Sequence, residues 1–183
     1  MQFWSYGPFT ADPRNKSLLW SEIRDAEDDD EQERNSLRDA IGCYVFVMKR
    51  GDKLVPWYVG KTNAKTGFYR EVFTSHKIQH YTGIIEQKPG WKPHMLLFPL
   101  ITPSWRFSKA FATDKPLIEW MERTLIGMAL AKNPDLYNKR DTALLKNCIV
   151  DGVFGRFGSY QKYPAALAAR QALTHHEDWA SYD

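Results

Sequence analysis

Residues 41–59 leave the chain little conformational choice. Ile41-Gly42-Cys43-Tyr44-Val45-Phe46-Val47-Met48 is dominated by β-branched and aromatic side chains, and Val55-Pro56-Trp57-Tyr58-Val59 has the same character. Between them, Arg50-Gly51-Asp52-Lys53 has turn chemistry. Two such runs joined by so short a link predict an antiparallel hairpin. A lone hairpin is marginal in water, so other elements must cover it. Pro56 has no N–H to give to a ladder, which predicts that the second strand begins late or lies partly on an edge.

The flanking segments supply the cover. Helical character is expected over 16–26 and 32–39, interrupted by the acidic run Glu27-Asp28-Asp29-Asp30-Glu31, a solvated turn. Lys61–Gly67 reads as a polar loop and 68–80 as a mixed helical stretch. His94–Ile101 is a third strand candidate. Residues 116–132 form the clearest helix, with Pro116 near its start and Pro134 beyond its end. Val150–Tyr163 is rich in glycine and aromatics, and Pro164–Leu173 is an alanine-rich helix. The order predicts an α+β fold: a small, mostly antiparallel three-stranded central sheet flanked by helices, with added N- and C-terminal segments. At 183 residues the chain suits one domain. Within it, 1–40 is an acidic helical extension, 41–140 the core and 141–183 a C-terminal extension packed on that core.

Composition narrows the function. The apolar runs are too short for a membrane span, and MQFWSYGPFTADPR lacks a basic-then-apolar secretory layout. Cys43 and Cys148 alone cannot build a disulfide framework or a four-cysteine zinc site. A reducing, cytoplasmic setting is therefore expected. Residues 1–40 carry 5 Lys/Arg against 10 Asp/Glu, while 41–183 carry 20 against 12. A basic body suits an anionic partner such as nucleic acid, although many soluble domains share that excess.

Two carboxylates on the 116–132 helix differ in setting. Glu119 has Arg123 four residues on, a favourable surface pair. Glu122, with Ile118 before it and Leu125 and Ile126 after it, lies in or beside the apolar stripe. A carboxylate there either snorkels to water or is satisfied by a cation such as a metal ion. In the hairpin, Tyr44 and Tyr58 stand on adjacent strands. Gly60 ends the second strand and allows a close approach by backbone or phosphate. Hairpin aromatics are more often simply core residues.

Gly42-Cys43-Tyr44, Tyr58-Val59-Gly60-Lys61-Thr62, Arg70, Glu122-Arg123-Thr124-Leu125-Ile126, Pro134 and Asn138 occur in an order that resembles the GIY-YIG nuclease family over roughly residues 42–138. Cys43 replaces the usual isoleucine, and Arg70 stands further from Tyr58 than is usual. The resemblance implies an endonuclease that hydrolyses DNA phosphodiester bonds with one Mg²⁺ or Mn²⁺ ion; RNA is the alternative substrate. It gives Tyr44 and Tyr58 the lining of the nucleophilic water, with Tyr44 as base. Arg70 becomes the phosphate clamp, Glu122 the metal ligand and Asn138 the residue closing the site. His76 matches the histidine or tyrosine that follows the arginine. Lys61, Lys77 or His80 fill these last roles if Arg70 or His76 does not.

Lys61, Lys77, Arg156 and Lys162 are candidate nucleic-acid contacts. In the tail, Phe154, Phe157, Tyr160 and Tyr163 interleave with Arg156 and Lys162; such rings more often cover a sheet than stack on bases. His175-His176-Glu177-Asp178 reads as an exposed terminus rather than a metal site. Phe3, Trp4 and Trp20 are expected to pack the N-terminal segment on the core. A single site nicks one strand, and cutting both requires a dimer or two encounters. The competing function is a catalytically inactive module of the same kind that binds nucleic acid without cutting it.

Overall fold

The computed structural model describes residues 1–27, 36–62, 66–138 and 164–173. Most of the acidic run, the middle of the Lys61–Gly67 loop, Cys148, Val150–Tyr163 and the His175–Asp178 cluster lie outside these residues.

The hairpin forms as its composition predicts, but with longer arms. Strand β3 (Gly42–Arg50) pairs antiparallel with β4 (Lys53–Thr62). Tyr58 stands opposite Phe46 and Pro56 opposite Val47, so Trp57 is an extra residue on β4. Pro56 thus sits at a bulge on an edge strand, the two places where a missing N–H is tolerated. The third strand, β5 (Lys92–Ile101), pairs with the other side of β3.

The sheet has five strands rather than three. Two short N-terminal strands, β1 (Gln2–Phe3) and β2 (Tyr6–Thr10), lie end to end along the free edge of β5. The order is therefore β1/β2, β5, β3, β4, all antiparallel. The N-terminal segment is part strand because β5 offers unpaired backbone groups there, and Phe3 and Phe9 reach apolar clusters from it. Helix α1 (Lys16–Ala26) follows over its expected span, and the second acidic-flank helix is reduced in its described part to a 3₁₀ turn at Leu37–Asp39.

The 68–80 stretch divides into α2 (Gly67–Glu71) and α3 (Ser75–Gln87). Helix α4 (Phe111–Lys132) starts before Pro116, which it contains, and α5 is Pro164–Leu173. One face of the sheet, through Val45, Val47, Val59 and Leu100, packs on Ile118, Ile126 and Ala129 of α4. The opposite face, through Tyr44, Phe46, Met48, Met95 and Leu97, packs under Leu19 and Ile23 of α1, Phe68 of α2, Val72, and Tyr81 and Ile84 of α3. Phe3 and Trp20 are partly buried as expected, whereas Trp4 remains exposed, edge-on to Trp105 at 5.3 Å. No described helix is long and apolar enough to cross a membrane.

The start of β3 leaves no room for a side chain at Gly42. A Cβ on Gly42 would lie 2.2 Å from the Phe98 carbonyl oxygen and 2.8 Å from Pro99 Cα, both backbone atoms that cannot swing aside. Gly83 of α3 faces nothing within 4 Å. Gly42→Ala is therefore expected to destabilise by about 1–3 kcal/mol through overpacking. Gly83→Ala is expected to stabilise by about 0.5–1 kcal/mol through helix propensity. Urea denaturation of the two variants checks both signs.

Candidate active site

The motif residues lie on both faces of the sheet around β4, Glu122 and Lys61 on the α4 face and Tyr44 and Tyr58 on the other. Glu122 is half-buried on α4, as a carboxylate beside an apolar stripe should be, and the group that satisfies it is Lys61. The Lys61 Nζ donates to Glu122 Oε2 at 2.6 Å and lies 3.6 Å from Glu119 Oε1. Glu119 therefore joins Lys61, with Lys115 one turn back at 3.9 Å, rather than the expected Arg123. Burial works against the Lys61 charge, but the hydrogen bond and charge of Glu122, then those of Glu119, outweigh it and hold its pKa above the usual lysine value.

Tyr44 and Tyr58 lie on the other face of the sheet, their rings 6.4 Å apart and nearly parallel. Tyr44 is fully buried, and so is its hydroxyl, which has no full hydrogen-bond partner. Gly60 is its cross-strand neighbour. A Cβ there would sit 2.3 Å from both Cζ and Oη of Tyr44, so the space left by this glycine is filled by the phenol rather than by a phosphate. Burial first, then the charges of Tyr81, Tyr58 and Glu71, push the Tyr44 pKa well above that of a free phenol. As folded, the residue matching the family's base is sealed from solvent.

Tyr58 is only half-buried. Its pKa is pushed up to about 12, first by burial and then by the charges of Glu122 and Glu71. It is the tyrosine that senses the Glu122 carboxylate while keeping access to solvent. His80 lies beside it, with ring centroids 6.2 Å apart, and packs on Tyr137 at 4.6 Å. His76, one turn earlier on α3, is exposed and turned to Thr74 Oγ1 at 3.3 Å.

Helix geometry explains what becomes of Arg70. Phe68 and Val72 point into the core, and a residue midway between them at 100° per step points out. Arg70 is exposed and makes no hydrogen bond or ion pair with a described residue. The cation that does enter the tyrosine cluster is Lys77, which is buried and lies 5.1 Å from the Tyr44 ring centroid. Its ammonium is bonded to the Glu71 carboxylate and, at 2.8 Å, to the Glu71 carbonyl oxygen. Burial lowers its pKa despite Glu71 and, more weakly, Glu122. Lys77 is thus an interior group, not a surface contact, while Arg156 and Lys162 fall outside the described residues.

Asn138 has a backbone partner. Its Oδ1 accepts from Val59 N–H at 2.8 Å, and its Nδ2 donates to Val59 C=O at 2.7 Å. One side-chain amide thus imitates a neighbouring strand along the outer edge of β4. Tyr137 N–H to Trp57 C=O (2.8 Å) and Asn133 Nδ2 to Pro56 C=O (2.7 Å) extend the same edge.

Sequence reasoning missed Glu71 and Tyr81. Glu71 pairs with Lys77 across the break between α2 and α3, so no helical spacing announced it. Tyr81 stacks on Phe46 at 4.2 Å and faces Tyr44, and its own hydroxyl is buried without a full partner. The buried positions Lys77, Tyr81 and Ile84, at intervals of four and three, are the only sequence signal for it. Comparison with models of known protein families, with curated proteins and with solved structures gives no match.

Two measurements probe this geometry. Asn138→Ala strips two hydrogen bonds from buried groups of β4 and is expected to cost about 1–3 kcal/mol in urea denaturation. Removing the Glu122 charge removes a cause that holds the Tyr58 pKa up. Glu122→Gln is therefore expected to lower it below about 12. Carbon-13 NMR titration of labelled tyrosine reads this directly, and an unchanged Tyr58 midpoint would refute the coupling.

Proposed function

We propose that the chain is a metal-dependent nuclease of the GIY-YIG kind, acting on the phosphodiester backbone of DNA. The observation that carries this reading is the convergence of Glu122 on Lys61, residues from two separate motifs 61 positions apart, with a Glu122 charge that reaches the half-buried Tyr58 from the other face of the sheet.

Hydrolysis needs an oriented and deprotonated water, neutralisation of the charge that grows on phosphorus, and a stabilised leaving oxygen. Two carboxylates, Glu122 and Glu119, already converge on one ammonium, so their oxygens can accommodate a cation. Few hard oxygen donors match Mg²⁺, which keeps most of its waters. Glu122 would hold it, with Glu119 beside it. When bound, such an ion supplies Lewis-acid stabilisation of phosphate oxygens. Lys61, released from Glu122, offers its ammonium to a non-bridging phosphate oxygen. Tyr58 orients the attacking water; to act as base it must first give its own proton to solvent, which burial and then the Glu122 charge oppose, and with that charge neutralised the phenolate accepts the proton of the water. His80 supports the Tyr58 ring. Tyr44, sealed over Gly60, fixes the strand geometry, and the outward Arg70 attracts the DNA backbone.

The sealed Tyr44 hydroxyl and the outward Arg70 favour a second reading, a module that binds nucleic acid without cutting it. Incubation of supercoiled plasmid with Mg²⁺ or Mn²⁺ separates the two. Nicking by the wild type is expected, abolished by EDTA and reduced by about 10²-fold or more in Glu122→Ala and in Tyr58→Phe. Undiminished nicking in Glu122→Ala would overturn the mechanism. Salt-sensitive retention of plasmid without any nicking by the wild type would establish the binding module instead.

A further inference from the structure

The far end of the sheet carries an arrangement that the fold does not need. Lys49 of β3 and Lys92 of β5 are direct cross-strand partners, and so are Arg50 of β3 and Lys53 of β4. Like charges directly opposite on adjacent strands repel at close range and are destabilising. None of the four makes an ion pair with a described residue. With His94, Gly51 and Gly90, three of them (Lys49, Arg50 and Lys92) line an open groove of about 330 Å³.

A Cβ on either glycine would meet nothing within 4 Å, so a ligand can approach the turn backbone there. Lys88 lies nearby in sequence, with its Nζ 5.0 Å from the Trp57 ring centroid. Over residues 48–54 and 86–94, five Lys/Arg and His94 stand against only Asp52 and Glu86.

We infer that this groove, bounded by the β3–β4 turn and the start of β5, is a second nucleic-acid contact that grips the phosphate backbone of duplex DNA through Lys49, Lys92 and Arg50. Repulsion between paired cations is relieved when each faces an anion, and a duplex presents one charge per about 1.7 Å along its axis. Lys49 lies five steps along β3 from Tyr44, a span of about 17 Å, so one duplex can touch the groove and the β4 edge together. The contact concerns binding and stands whether or not Glu122 supports cleavage.

The test is fluorescence anisotropy of a labelled short duplex, in EDTA so that no cutting intervenes, over a series of salt concentrations. The wild type is compared with Lys49→Thr/Lys92→Thr and with Lys16→Gln, which removes an exposed charge on α1. The double variant is expected to bind more weakly, and the slope of log affinity against log salt is expected to fall in magnitude by about 2, one unit per lost phosphate contact. Its Tm is expected to rise, because a repulsive pair has gone. That rise separates lost contact from lost folding. An unchanged slope in the double variant would overturn the inference. An equal loss in Lys16→Gln would also overturn it, since net charge alone would then explain the binding. Retention on phosphatidylserine vesicles without any duplex binding would assign the groove to a different anion and refute it as well.

Discussion

The outer edge of β4 is where the fold and the candidate site depend on one another. A strand at a sheet edge presents unpaired N–H and C=O groups, and here they are met by a short return segment rather than a further strand. Asn138 satisfies both backbone groups of Val59, Tyr137 satisfies Trp57, and Asn133 satisfies Pro56. A full strand in that position would wall off β4. Asn138 closes the edge with one amide, which leaves Tyr58 half-open on one face and Lys61 half-open on the other. The amide clamp therefore keeps the edge ordered while leaving it reachable.

Around that edge the charges form two ion-paired groups, one on each face of the sheet, and three tyrosines share the face of the Glu71–Lys77 group. Glu71 holds Lys77 beneath Tyr44, and Glu122 with Glu119 holds Lys61 on the opposite face of the sheet. Burial and the neighbouring carboxylates push all three phenols up, so Tyr44, Tyr58 and Tyr81 are neutral near neutral pH. The two pairs differ in accessibility. Lys77 is enclosed and serves the interior, whereas Lys61 retains about a quarter of its side-chain exposure and can exchange one anion for another. Under the proposed function, an ammonium shared by two carboxylates is poised for such an exchange.

The cations at the opposite end of the sheet form a contrast. Lys61 and Lys77 are matched by carboxylates, while Lys49, Lys92, Arg50 and Lys53 face one another. Matched charges stabilise a folded chain locally. Unmatched ones cost stability and contribute only when an anionic partner arrives. Both ends sit on β3 and its neighbours, so a single rigid sheet fixes their separation.

Much of this was legible in the sequence, and the exceptions have physical causes. The hairpin, the third strand, α1, α5 and most of α4 follow from β-branched runs, turn residues and helical periodicity, which are local properties. Glu122 was legible as a carboxylate in need of a partner, because its place in the apolar stripe depends only on residues within one helical turn. The strands β1 and β2 were not, since five residues of mixed character become a strand only when β5 presents a free edge. Nor were the partners of Glu122 and Lys77, nor the fates of Tyr44 and Arg70. Periodicity says which side of an element a residue occupies, not what stands opposite. Pairing a residue at 61 with one at 122, or closing a phenol over Gly60, depends on how layers pack over long sequence separations. The sequence by itself determined the elements and the residue types able to do chemistry. The tertiary structure alone decided which tyrosine meets water and which lysine meets a carboxylate, because burial and distance are properties of the packed chain.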